Sequence, residues 1–164
     1  MNKIKILNIV FCLLYPISVV AQIDSSETMR QTIVNVFSKE RDLAVFYRKS
    51  SIPKSLKKKL KSTFNGFRIV NPNKEYRKTD VVRNPFLPNN QMVFLIQNKE
   101  HYALIFMNGG RGLSTYFVYS KIVSNKIEIM KVYTINKTET VEDFLLNIAL
   151  GKFYSVNSQS LKKL

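Results

Sequence analysis

Apolar positions recur at helical spacing near both ends of the chain and run consecutively through its middle, so the two kinds of element separate along the sequence. In "DSSETMRQTIVNVFSKE", Met29, Ile33, Val36 and Phe37 fall on one face of a helix, with Asp24 and Glu27 spaced as a capping box. "DLAVFYRK", 42–49, fits either a continuation of that helix after a bend or a first strand. Pro53 then opens a second helix, in which Leu56, Leu60 and Phe64 form a narrow apolar stripe and Asn65-Gly66 marks the stop.

Residues 67–71 read as a short strand, and 79–82 as another within an otherwise irregular 72–90. Loops longer than about 12–15 residues are uncommon in compact domains and often functional. In this one Phe86 and Leu87, between Pro85 and Pro88, suit a plug into the core, with contact to a protein partner as their other use.

Strands at 91–97 and 101–108 flank one hairpin turn, and strands at 113–123 and 126–135 flank another at Ser124-Asn125. Thr140 and Asp143 cap a closing helix whose Val141, Phe144, Leu145 and Ile148 share a face, with Gly151 as its stop. From 155 onward the tail is expected to fray. The pattern predicts an α+β fold: an antiparallel four- to five-stranded meander packed by an N-terminal helix, a short basic helix and a C-terminal helix.

Met92–Ile96 and Tyr102–Met107 are apolar without alternation. An antiparallel strand with one wet face alternates, so both faces of these strands must be covered. The terminal helices supply one cover. For the other, the basic helix and long loop of the same chain are the first choice, ahead of a homodimer or a small apolar ligand.

Residues 1–21 change the picture. Two lysines, a mainly apolar run of ten and a small-residue site at Val19 and Ala21 read as a secretory signal cleaved after Ala21. The run is shorter than the ~20 residues a spanning helix needs. Cys12 sits inside this run, too early for lipid attachment. Residues 22–164 then form a single cysteine-free domain, secreted or periplasmic, with no disulfide, thiol nucleophile or thiolate metal site.

The whole chain carries a net charge of +15. Nine basic residues and no acid lie between Leu43 and Lys74, a field that attracts nucleic acid, anionic glycans or an anionic envelope surface. The residues named for polyanion binding are Lys54, Lys57, Lys58, Lys59, Lys61 and Arg68. The basic helix lacks the interleaved aromatics and arginines that stack on and read bases. Any nucleic-acid binding is therefore expected to be nonspecific and salt-sensitive. A solvated helix face is the ordinary alternative, and a Lys/Asn/Ile compositional bias supplies such charge without selection.

Other chemistry is thin. His101 is the sole histidine and reads as a surface or edge residue. No metal site or cofactor is expected. Asn108 to Gly112 lies between strands, which excludes a phosphate loop leading into a helix, and leaves Arg111 at its tip as a protein contact. Asn136-Lys137-Thr138 is a formal glycosylation sequon. Glu75, Asp80, Glu100 and Glu128 are the carboxylates with no evident structural duty.

The leading expectation is an exported non-enzymatic binding or accessory protein. An inhibitor or immunity-type protein, acting through 72–90 or 108–112, is the alternative. A carboxylate-based hydrolase comes third.

Overall fold

A computed structural model describes residues 27–38, 43–64, 66–79, 84, 86–110 and 112–157. The signal-like segment 1–21, the Asp24 cap, Asp80 and Arg111 lie outside them. Helix α1 spans 27–38, α2 Lys54–Thr63 and α3 Val141–Ala149. The strands are β1 (Ala44–Phe46), β2 (Ile69–Val70), β3 (Asn90–Asn98), β4 (His101–Asn108), β5 (Ser114–Val123), β6 (Lys126–Ile135) and β7 (Phe153–Ser155).

They form one seven-stranded sheet in the order β1-β3-β4-β5-β6-β7, with β2 paired beside β1 on β3. The fold is α+β as expected, and its centre is the predicted meander β3 to β6. Pairing is antiparallel except for the two-residue parallel contact between β2 and β3. The additional strands β1, β2 and β7 are only two or three residues long. The tail expected to fray from 155 begins in β7, and Val156 N–H still bonds Val132 O at 3.0 Å.

The hairpins follow from their turn residues. Ser124 (φ 48°) and Asn125 (φ 61°) both take left-handed backbone, the geometry whose twist matches the strands it joins. A bulge between Met92 and Phe94 resets the alternation of β3. Met92 and Leu95 consequently share one face, while Phe94 and Ile96 share the other.

Two cores result. On one face α1 and α3 bury Ile33, Phe37, Phe144 and Ile148 against β3–β6. On the other, Ile52, the α2 stripe Leu56, Leu60 and Phe64, and then Phe67 cover Leu95, Leu104, Phe106 and Val118. The chain supplies both covers itself, which is why its central strands do not alternate.

Local devices hold the helices in place. Thr140 Oγ1 accepts from Asp143 N, while Asp143 Oδ2 accepts from Thr140 N and Glu139 N, all at 3.1 Å. The backbone N–H groups of Glu139 and Thr140 hold the Asp143 carboxyl below the usual carboxylate range. At the far end of α3, Arg30 of α1 donates to Gly151 O at 2.7 Å. A cation at a helix C-terminus complements the dipole.

Phe86 does not plug the core; it is 81% exposed. Asn84 Oδ1 accepts from Phe86 N at 3.0 Å and Asn84 O from Leu87 N at 3.3 Å, a side-chain-stabilised turn that directs the ring outward. The buried aromatic of this loop is Tyr76, whose hydroxyl lies 3.8 Å from Met107 Sδ.

Ser120 carries a further prediction. It is fully buried between Tyr102 and Met130 in the sheet, and its Oγ has no hydrogen-bond partner among the described residues. A desolvated, unpaired hydroxyl opposes folding. Ser120→Ala is therefore expected to raise the unfolding free energy by about 1 kcal/mol, measured by urea denaturation. A loss of similar size would show that the hydroxyl is partnered.

Candidate anion-binding groove

α2 crosses one face of the sheet while β2 pairs with β3 only at Asn90 and Gln91. Between them lies a groove of about 440 Å³. Its walls are positioned by side-chain amides acting on backbone. Asn71 Oδ1 accepts from Lys49 N at 2.7 Å, which ties the short 3-10 helix Lys49–Ser51 to the end of β2. Asn90 Nδ2 donates to Arg68 O at 3.0 Å, and Asn108 Nδ2 to Asn90 Oδ1 at 2.8 Å. Asn90 and Asn108 are buried, and these bonds satisfy part of the polarity they bring inside.

The rim of the groove is cationic: Lys49, Lys57, Lys61 and Arg68. Its floor, the buried and half-buried apolar part of the lining, is made by Phe67, Ile69, Val70 and Pro88, while the exposed Ser50 lines the groove beside Lys49. No acid lines it, and none of the four cations forms an ion pair among the described residues. Lys57 Nζ donates to Ser50 O at 3.3 Å across the groove's end.

A second hollow of about 370 Å³ near the start of β5 and the end of β6 contrasts with it. There Lys137 pairs with Glu139 at 2.9 Å, so its charge is answered locally.

Three of the six residues named from sequence, Lys57, Lys61 and Arg68, thus come together. Lys54, Lys58 and Lys59 are exposed on α2 and do not line the groove. Lys49, one of the nine basic residues between Leu43 and Lys74, joins Lys57, Lys61 and Arg68 in the groove. Its placement depends on the 3-10 helix and on Asn71, twenty-two residues away.

The remaining candidates are scattered. Phe86 is exposed, Leu87 half-buried, and Arg111 lies outside the described residues. His101 is half-buried; its Nδ1 is 2.8 Å from the Tyr119 hydroxyl and the two rings stack. Burial pushes the Tyr119 hydroxyl up from its ordinary pKa. Within the sequon, Thr138 is buried, donating to Asn136 O and accepting from Asn147 Nδ2.

Glu128 holds Lys121 at 2.6 Å and raises its pKa, with Glu100 adding to the same field. Glu75 follows Lys74, whose carbonyl accepts from Gln91 at the start of β3. Glu100 follows the other end of that strand, roughly 20 Å away by the rise of an extended chain. Glu75 and Glu100 are therefore too far apart for a paired-carboxylate mechanism. Among the described residues no cluster of three or more His, Cys, Asp or Glu could hold a metal, and no helix is long and apolar enough to cross a membrane.

The fold and groove define an α+β domain carrying a cation-rimmed apolar cleft. No protein-family model matches the chain, and no curated protein or solved structure matches it either.

Proposed function

We propose that this chain is an exported, non-enzymatic binding protein that engages anionic partners through the groove between α2 and β2. The observation carrying this reading is the convergence of Lys49, Lys57, Lys61 and Arg68 on a groove lined by no acid. These cations come from the 3-10 helix, from α2 and from the segment leading into β2, a spread that a merely solvated helix face does not require. In the walls of a concave site their fields add. Export rests on the signal-like pattern of residues 1–21.

Salt-gradient elution from immobilised heparin tests the site. Lys57→Glu/Lys61→Glu/Arg68→Glu should elute at clearly lower salt than Lys54→Glu/Lys58→Glu/Lys59→Glu, although both change the net charge equally. The magnitude of the slope of log affinity against log salt should fall by about 2–3 for the groove variant, by analogy with counterion release from other polyanions. Co-elution of the groove variant with wild type would remove the reading. Equal shifts in both variants would reduce it to a general surface field.

The exposed ring of Phe86 favours a second reading, an inhibitor or immunity-type protein that seats residues 84–88 on a protein partner. Aromatic anchors dominate such interfaces. Pull-down from the native envelope with wild type and Phe86→Ala separates this reading from the first, because Phe86 does not line the groove.

A further inference from the structure

We propose that the groove's occupant is a free single-chain anionic amphiphile, a fatty carboxylate or alkyl phosphate, with its head against the basic rim and its chain along the floor. This deepens, and rests on, the reading of the groove as an anion site. Charge complementarity fixes the sign of the ligand: the rim presents Lys49, Lys57, Lys61 and Arg68, and no lining residue is acidic. The floor fixes its other half. Phe67, Ile69, Val70 and Pro88 offer no hydrogen-bonding side chain, so a ligand charged along its whole length would desolvate charge against carbon there. A sulfated or phosphorylated polymer can use the rim but gains nothing from the floor.

A bilayer surface fits less well. Interfacial binding needs bulky apolar side chains that protrude, whereas Phe67 is only 7% exposed and Ile69 and Val70 are half-buried. The apolar surface is recessed beneath the charges, as in a site that receives a chain. The volume of about 440 Å³ lies within the range of ~300–1,000 Å³ typical of small-ligand sites. Hydrogen bonds, accepted by the Asn71 side chain and donated by that of Asn90, hold the Lys49 and Arg68 backbones before any ligand arrives, which limits the ordering a ligand must impose.

Isothermal titration calorimetry of the purified protein with sodium octanoate, decanoate and dodecanoate, each below its micellar concentration, tests the proposal. Affinity should rise about three- to fourfold per added methylene until the floor is filled. Decanol, which has the chain without the charge, should bind at least tenfold more weakly than decanoate. Lys61→Glu/Arg68→Glu, both on exposed side chains, should lose at least tenfold for decanoate, while Lys58→Glu/Lys59→Glu should bind as wild type.

Val70→Asp should abolish the chain-length dependence. Should that variant fail to melt cooperatively, Val70→Ala with a reduced increment per methylene serves in its place. An affinity independent of chain length overturns the proposal. So does binding to phosphatidylglycerol vesicles without binding to monomeric decanoate, which would assign the groove to a membrane surface. Groove-dependent heparin retention without decanoate binding overturns the amphiphile but leaves the anion-site reading standing. Loss of both removes both.

Discussion

Phe144→Ala is expected to lower the unfolding free energy by about 3–5 kcal/mol, the usual cost of deleting a fully buried aromatic ring. Phe144 has no exposed surface and meets three other rings edge-on: Phe117 at 5.2 Å, Phe37 at 5.9 Å and Phe94 at 6.3 Å. Phe94 and Phe117 belong to the sheet and Phe37 to α1. Phe144 therefore stands where both terminal helices meet the strands.

Two effects combine in the substitution: lost transfer of apolar area and a cavity whose lining cannot collapse. The edge-to-face geometry adds about 0.5–1.5 kcal/mol per pair beyond area. Thermal denaturation should show the midpoint falling by roughly 10–20 °C. Leu146→Ala, two residues away on the same helix but 60% exposed, should change stability by no more than about 0.5 kcal/mol. Similar losses in the two variants would contradict the face assigned to α3.

That face was readable from sequence because α3 carries every local signal of a helix at once. Thr140 and Asp143 sit at capping-box spacing, Phe144 and Ile148 fall one turn apart, and Gly151 (φ +64°) stops the helix. The meander was equally plain, since four strands of eight to ten residues hold enough consecutive apolar positions to exclude one wet face. The short strands were less legible for the converse reason: β2 falls within the strand expected at 67–71 and β1 within the ambiguous 42–49, but β7 had no signal, because two or three residues cannot display a period.

The groove was half visible. Lys57 and Lys61, four apart, occupy one flank of the stripe set by Leu56 and Leu60, a relation the sequence contains. Which flank meets β2 depends on long-range bonds. Asn90 to Arg68 and Lys49 to Asn71 each span twenty-two residues, and Asn90 to Asn108 eighteen. Asparagine has no periodic signature that foretells such a role. Phe86 shows the same limit from the other side. A phenylalanine flanked by prolines reads as core, yet the Asn84 side chain decides its direction and leaves the burial to Tyr76.

Gly109→Ala should cost more stability than so small a change usually does. A methyl group built on Gly109 would lie 1.8 Å from the carbonyl oxygen of Arg77 and 2.9 Å from the Lys78 Cα. Both neighbours are backbone, so no rotamer change relieves the contact, and the segment around Arg77 and Lys78 must move. Gly109 N donates to Asn89 O and Arg77 N to Pro88 O, each at 2.9 Å, while Thr79 bridges Gly110. The methyl would therefore part several bonds that pin the 72–90 loop to the end of the sheet. Overpacking of this kind costs typically about 1–3 kcal/mol, and the upper end is expected here because the alternative is to detach Tyr76 from its buried site. Hydrogen exchange distinguishes the two routes. Faster exchange confined to Gly109, Arg77 and their neighbours, with β4 to β6 still protected, would show local release of the loop. Since Pro88 belongs to the groove floor, decanoate affinity should fall with it although no cation has been touched. Wild-type stability and wild-type exchange at Arg77 in Gly109→Ala would contradict the close backbone approach at Gly109.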